Sequence, residues 1–215
     1  RWRGTGFGTA LADLDNDGAL DLPIVNGAVG RPREGRPEPA PGQFWADYAQ
    51  RNQLFVNDGT GHFRDVSERE TALCGEPMVG RALAVGDVDN DGALDLLVTQ
   101  VGGPALLLHN VAPKRGNWLM VRAVDPKLRR DAYGAEVRAR AGGREWVRWV
   151  NPGYSYLASG DPRVHFGLGA AERVERLRVT WPDGSAEDFP GGAVNTLREL
   201  RRGEGTPAAK GGEAP

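Results

Sequence analysis

The sequence predicts an all-β chain: a partial β-propeller of two blades followed by a small β-sandwich-like module. Three observations carry this reading. The stretch Asp13-Leu14-Asp15-Asn16-Asp17-Gly18-Ala19-Leu20-Asp21 returns 74 positions later as Asp87-Val88-Asp89-Asn90-Asp91-Gly92-Ala93-Leu94-Asp95, with only Leu14/Val88 changed. Short apolar runs enter and leave both copies, which is strand, loop, strand. From Asn117 onward the chain consists of short alternating runs punctuated by Gly-Gly, Pro-Gly and Pro-Asp-Gly, the pattern of a small sandwich.

In chain order, Gly6 to Asp13 is a strand running into the first acidic loop, and Leu20 to Asn26 is the strand that leaves it. Pro23 removes a ladder hydrogen bond there and fits best at an edge or a bulge. Residues 27–51 form a Pro-, Gly- and Arg-rich insertion without periodicity, read as exposed. Phe44, Trp45 and Tyr48 have the spacing of one short helical turn and would pin the insertion to the strands. Gln53–Asn57 and His62–Val66 flank Asp58-Gly59 and read as a hairpin. Ser67 to Val79 reads as an irregular connection.

The pattern then restarts with strands over Arg81–Asp87, Leu96–Val101 and Pro104–Asn110. Asp21 to Asn57 spans 36 residues and Asp95 to Asn110 spans 15, so unit one is unit two with a surface excursion. Unit two has no counterpart of the His62–Val66 strand. These divisions predict two blades in residues 1–112, a β module in 113–202 and a disordered tail in 203–215. Such repeats need about three or more copies, and propellers use about four to eight blades. Further blades are therefore expected upstream. The chain begins at Arg1 inside a strand-like run and reads as the C-terminal piece of a longer protein, so a signal peptide is expected upstream as well.

Each acidic loop has the donor set of a hard divalent cation, which takes six to eight oxygens. Asp13, Asp15 and Asp17, then Asp87, Asp89 and Asp91, supply carboxylates from positions one, three and five. Gly18 and Gly92 allow the sharp turn at position six. The Ala19 and Ala93 carbonyls serve position seven, and Asp21 and Asp95 serve position nine. An EF-hand would place Glu at position twelve, where Ile24 and Val98 stand instead, so these loops are not EF-hands. Two structural Ca²⁺ sites are expected. Mg²⁺ is less apt because it demands near-octahedral geometry. Without the ion, crowded carboxylates repel and their pKa values rise.

Net charge is −2, which gives no argument for nucleic acid. Eight of the 29 acids lie in the loops, leaving 21 against 27 Lys and Arg, so the rest of the chain is mildly basic. No apolar run approaches the ~20 residues of a membrane-spanning helix. Cys74 is the only cysteine and is expected to pack as a small apolar residue, the alternative being a bond to an upstream segment. His62, His109 and His165 are scattered and read as structural. Ser159, Asp161 and His165 lack the Gly-x-Ser-x-Gly elbow of a hydrolase, and no catalytic residue or enzymatic activity is assigned. Trp146 and Trp149 should face opposite sides of a strand, one in the core and one at the surface. The surface one, with Tyr154 and Tyr156, could stack on a sugar.

The Asp-x-Asp-x-Asp-Gly-x-x-Asp loop between strands resembles the FG-GAP/VCBS repeat. Asn52-Gln53-Leu54-Phe55-Val56-Asn57-Asp58-Gly59 with Gly61-His62-Phe63 resembles the outer hairpin of such a blade. Gly116-Asn117-Trp118-Leu119, Tyr133-Gly134-Ala135-Glu136-Val137, Gly153-Tyr154, His165-Phe166-Gly167-Leu168-Gly169 and Trp181-Pro182-Asp183-Gly184 resemble the ASPIC/UnbV module in order. Together they resemble the C-terminal portion of the CRTAC1-like (cartilage acidic protein-like) family. The resemblance implies a calcium-stabilised, secreted, cell-surface or periplasmic propeller used for adhesion or for binding a protein or glycan. It also implies that Asp13, Asp15, Asp17, Asp21, Asp87, Asp89, Asp91 and Asp95 are ligands. The alternative is a carbohydrate-binding or accessory part of a secreted hydrolase with its catalytic residues upstream.

Overall fold

The computed structural model describes residues 4–30, 44–112 and 115–208. The first blade is the antiparallel sheet β1 (Gly6–Thr9), β2 (Leu22–Asn26), β3 (Gln53–Asn57) and β4 (Phe63–Asp65), in that order. The second is β5 (Gly80–Gly86), β6 (Asp95–Gln100) and β7 (Leu106–Leu108). Three strands were expected here, and three are found among the described residues. The blades lie close where β1 meets β5: a Cβ on Gly8 would come within 2.5 Å of the Leu83 nitrogen. Val25, Leu83, Val85, Leu96 and Val98 form their shared core.

Pro23 is not at a sheet edge, because β2 pairs on both sides. A register shift between Gly6 and Thr9 interrupts the ladder beside it, and the Thr9 hydroxyl donates to the Pro23 carbonyl at 3.2 Å. The bulge accommodates the missing N–H. The connection after β4 is not wholly irregular: α1 (Thr71–Cys74) turns Leu73 and Cys74 into the blade core. Cys74 is a buried free thiol, and burial pushes its pKa up to about 11. Residues 31–43 of the insertion lie outside the described residues. The aromatic knot at its end is a 3-10 turn over Ala46–Tyr48. There Trp45 packs edge-on against Phe44, and Gly102 of the second blade abuts its indole.

The C-terminal module is a two-sheet sandwich. One sheet holds β8 (Asn117–Asp125) between β12 (Val164–Gly169), antiparallel, and β15 (Thr196–Arg201), parallel, with β9 (Arg130–Asp131) pairing antiparallel with the end of β8. The other runs β11 (Arg144–Trp149), β10 (Glu136–Ala141), β13 (Arg173–Thr180), β14 (Ala186–Ala193), β16 (Thr206–Ala208). Val137, Ala139, Phe166, Leu177, Val179 and Trp181 fill the space between them. The disordered tail expected over 203–215 is corrected for residues 203–208: Thr206–Ala208 pairs with Ala186–Asp188, and Glu187 accepts the Gly203 and Gly205 amides, while residues 209–215 lie outside the described residues. Gly, Pro and Ala read as tail because they carry no pattern, but a strand edge needs only backbone.

Alternation along β8 joins the two halves. Leu119, Val121 and Ala123 point into the sandwich, whereas Trp118 and Met120 pack into the blade core. A period of two gives one strand two apolar faces, each buried in a different core.

Candidate metal centres

A pair of backbone hydrogen bonds between Ala12 and Asp21 closes the base of the first loop, at 3.1 and 2.8 Å. Inside it, Asp13 accepts the Asp17 and Gly18 amides at 3.1 and 2.9 Å, and Asp17 accepts the Ala19 amide at 2.7 Å. The second loop repeats this: Asp87 accepts the Asp91 and Gly92 amides at 3.1 and 2.9 Å, and Asp91 accepts the Ala93 amide at 2.8 Å. Backbone angles repeat too, with φ of 61° at both Asn16 and Asn90, 94° at Gly18 and 87° at Gly92. Glycine is the residue that adopts the last two without strain.

This folding gathers carboxylates. Oxygens of Asp13, Asp15 and Asp17 lie within 4.8 Å of one another, as do those of Asp87, Asp89 and Asp91. Three hard oxygen donors converging on a turn fit a hard divalent cation such as Ca²⁺. Asp21 and Asp95 fall outside these two groups. Asp21 accepts the Leu14 and Asn57 amides at 3.1 and 3.0 Å, and Asp95 accepts the Val88 and Asn110 amides at 3.0 and 2.8 Å. Position nine therefore braces the start of each loop against the strand that follows. Asn57 and Asn110, the residues that aligned the two units, return the bond to the Leu20 and Leu94 carbonyls, both at 3.2 Å.

The two loops differ in electrostatics. In the first, burial pushes the Asp13 carboxyl up to about 7, opposed by the Gly18 amide and reinforced by Asp17, Asp15 and Asp21. Burial also raises Asp21 to about 6, against the Asn57 and Leu14 amides, and raises Asp15. In the second, burial raises Asp87, while the Arg115 guanidinium, 2.9 Å from Asp91, holds Asp91 below its usual range. The repulsion anticipated from the sequence is therefore present but secondary to desolvation.

His109 is the functional candidate that sequence reasoning passed over. Its Nδ1 lies 3.1 Å from Asp95 and its Nε2 lies 3.7 Å from Asp89, forming a third acid–imidazole group beside the second loop. Its position just before Asn110 was the available signal.

The C-terminal module sits on both loops. Trp146 Nε1 donates to the Gly18 carbonyl at 3.0 Å, and the Gly116 and Gly169 amides donate to the Asp15 and Asn16 carbonyls. A Cβ on Gly167 would overlap the Asp13 carboxylate. Arg163 donates to Asn90 Oδ1 at 2.6 Å and to the Asp87 carbonyl at 2.8 Å. His165 Nε2 lies 3.1 Å from the Gly92 carbonyl, and burial pushes its pKa down to about 4. Asp161 is bound by Arg163 at 2.7 Å, so Asp161 and His165 are engaged by different partners. Trp146 is in the core and Trp149 at the surface, as the strand period required.

Residues 43–98 match the FG-GAP-like repeat family, and residues 125–207 match the ASPIC and UnbV family. Human cartilage acidic protein 1 is 28% identical over 91% of this chain and 36% of its own length. The mouse protein of that name is 29% identical over 83% of this chain and 34% of its own, and that of Xenopus tropicalis 32% over 56% and 19%. The chain thus spans about a third or less of the curated relatives it matches. The second acidic loop lies within the FG-GAP-like match and most of the sandwich within the ASPIC and UnbV match: the chain is a homologue of cartilage acidic protein 1, carrying FG-GAP-like and ASPIC/UnbV sequence.

Proposed function

We propose that this chain is a calcium-binding, propeller-type module for adhesion or protein interaction, working outside the cell or in the periplasm, with calcium in a structural role. The observation that supports it best is the convergence of three carboxylates in each of two matching loops, both held beneath the C-terminal module. Asp13, Asp15, Asp17 and the Ala19 carbonyl would hold one ion, and Asp87, Asp89, Asp91 and the Ala93 carbonyl the other. Asp21 and Asp95 would act as ligands or as braces. An ion in each loop would replace repulsion by attraction at the junction between blades (1–112) and module (from 113), fixing the two as one body. Extracellular loops typically bind at about 10⁻⁴–10⁻³ M, which suits constant occupancy outside cells. Calorimetric titration of calcium into the chelated chain tests this: about two ions should bind, and binding no better than to a bulk acidic surface would refute it.

A carbohydrate-binding role is favoured by one observation, the indole of Trp149, which is 60% exposed beside Tyr154.

A further inference from the structure

The turn between β8 and β9 gathers cations at one end of the C-terminal module. Asp125 opens the turn and is spent inward: its Oδ1 accepts the Lys127 and Leu128 amides at 2.9 and 3.1 Å, and its Oδ2 lies 3.4 Å from Arg202. Lys127, Arg129 and Arg130 are exposed, and Arg129 takes φ of 52° as the chain reverses. Beside them lies a shallow cavity of about 290 Å³, lined by Arg122, Arg129, Arg130 and Arg201 together with Val124, Pro126 and Glu199.

Two of the four guanidiniums are held in place. Arg122 donates to Asp131 at 2.7 Å and lies 3.5 Å from Glu199; Arg201 donates to Glu199 at 2.8 Å and lies 3.9 Å from Glu204. The other two are not tied to a carboxylate. Arg130 stands 5.9 Å from the Tyr133 ring centroid, and neither it nor Arg129 has an acidic partner among the described residues. With Lys127, the surface carries an excess of two positive charges over Asp131, Glu199 and Glu204, on a chain whose net charge is −2.

A guanidinium fork meets two oxygens of an oxyanion at once, and the apolar surface of Val124 and Pro126 offers the C–H face of a ring a place to lie. No aromatic side chain among the described residues lines the cavity, so nothing there stacks on a nucleobase. Leu128 is exposed on the turn, but a single leucine is less than the apolar face that inserts into a membrane surface. We propose that this cavity binds a sulfated glycan, with a sulfate ester on the forks of Arg129 and Arg130 and the sugar ring over Val124 and Pro126. The inference goes beyond the calcium role, uses no calcium ligand, and shares with that reading only the placement outside the cell.

The test is calorimetric titration of a heparin tetrasaccharide into the whole chain in calcium buffer at about 0.15 M salt, where charges further than about 8 Å from the ligand are screened. A hyaluronan tetrasaccharide, which carries carboxylates and no sulfate, is the comparison. Saturable heparin binding is expected, with hyaluronan at least about tenfold weaker. Arg129→Gln combined with Arg130→Gln should weaken heparin by about tenfold or more and leave the melting temperature unchanged, because both side chains are exposed. Arg176→Gln, on the other sheet, should have no effect. Absence of heparin binding, unchanged affinity in the double variant, or an equal loss in Arg176→Gln overturns the site. Hyaluronan binding as tightly as heparin overturns the sulfate. Binding to phosphatidylserine vesicles without binding to heparin overturns the glycan in favour of a membrane. Calcium heat, measured separately on the chelated chain, without heparin heat refutes this site and leaves the loops standing; heparin heat without calcium heat does the reverse.

Discussion

Asn16 reaches from the first acidic loop into the second: its Nδ2 donates to the Gly92 carbonyl at 3.1 Å across 76 residues of sequence. His165 approaches the same carbonyl from the C-terminal module at 3.1 Å. Three parts of the chain therefore meet at one oxygen, beside the clustered carboxylates of both loops.

The Asn16 bond can be separated from the Asn16 backbone. Asn16 has φ of 61°, which glycine adopts freely and alanine does not. Asn16→Gly should lose the buried hydrogen bond, about 1 kcal/mol. Asn16→Ala should lose about 2 kcal/mol, because left-handed strain is added. Urea denaturation of both variants measures the difference; equal losses would mean that the backbone angle carries no strain.

Gly92 and Gly59 make a matched pair. Both have positive φ, 87° and 79°. A Cβ on Gly59 meets nothing within 4 Å, whereas one on Gly92 would overlap the Trp118 indole. Gly59→Ala should destabilise by about 1 kcal/mol and Gly92→Ala by about 3 kcal/mol or more, since overpacking adds to strain. Similar melting temperatures for the two variants would show that the module is not seated on the second loop.

His165 gives a signed pH dependence. It stays neutral in the fold down to about 4, while an unfolded histidine takes its proton near 6.5. Its contribution is therefore intact above pH 6.5 and lost as pH falls from about 6.5 to 4, by up to about 3 kcal/mol. Asp13, raised by burial, has the opposite sign in calcium-free protein, so the quantity to follow is wild type minus His165→Gln. That difference should shrink with acid. A difference independent of pH would place the imidazole in contact with water.

The two loops should bind calcium unequally. Arg115 neutralises Asp91, and among the described residues no arginine pairs with Asp17. Arg115→Gln should tighten the second site by about two- to fivefold, the range expected of a partly exposed ion pair. Titration resolving two affinities would show it, and an unchanged weaker site would contradict it.

What the sequence disclosed follows the range of the interactions. The acidic loops were legible because their donors and turn residues lie within nine positions, and the second copy repeated them. The strands around them were legible by the same local pattern. Position nine was legible as a carboxylate but not as a brace, because its partners Asn57 and Asn110 arrive from other strands. Docking of the module was not legible. Trp118, His165 and Gly167 were legible as motif residues of the C-terminal module and Trp146 as a strand residue, but only folding shows that they face the loops. The strand at Thr206–Ala208 was missed because an edge strand made by backbone pairing leaves no side-chain period.

The central claim is that calcium fixes these loops in the fold. Thermal unfolding of the chain in about 10 mM calcium and in EDTA tests it most directly. Two structural sites of typical extracellular affinity should raise the melting temperature by about 5–15 °C, and magnesium at the same concentration should do less. Coincident melts in calcium and EDTA would contradict the account.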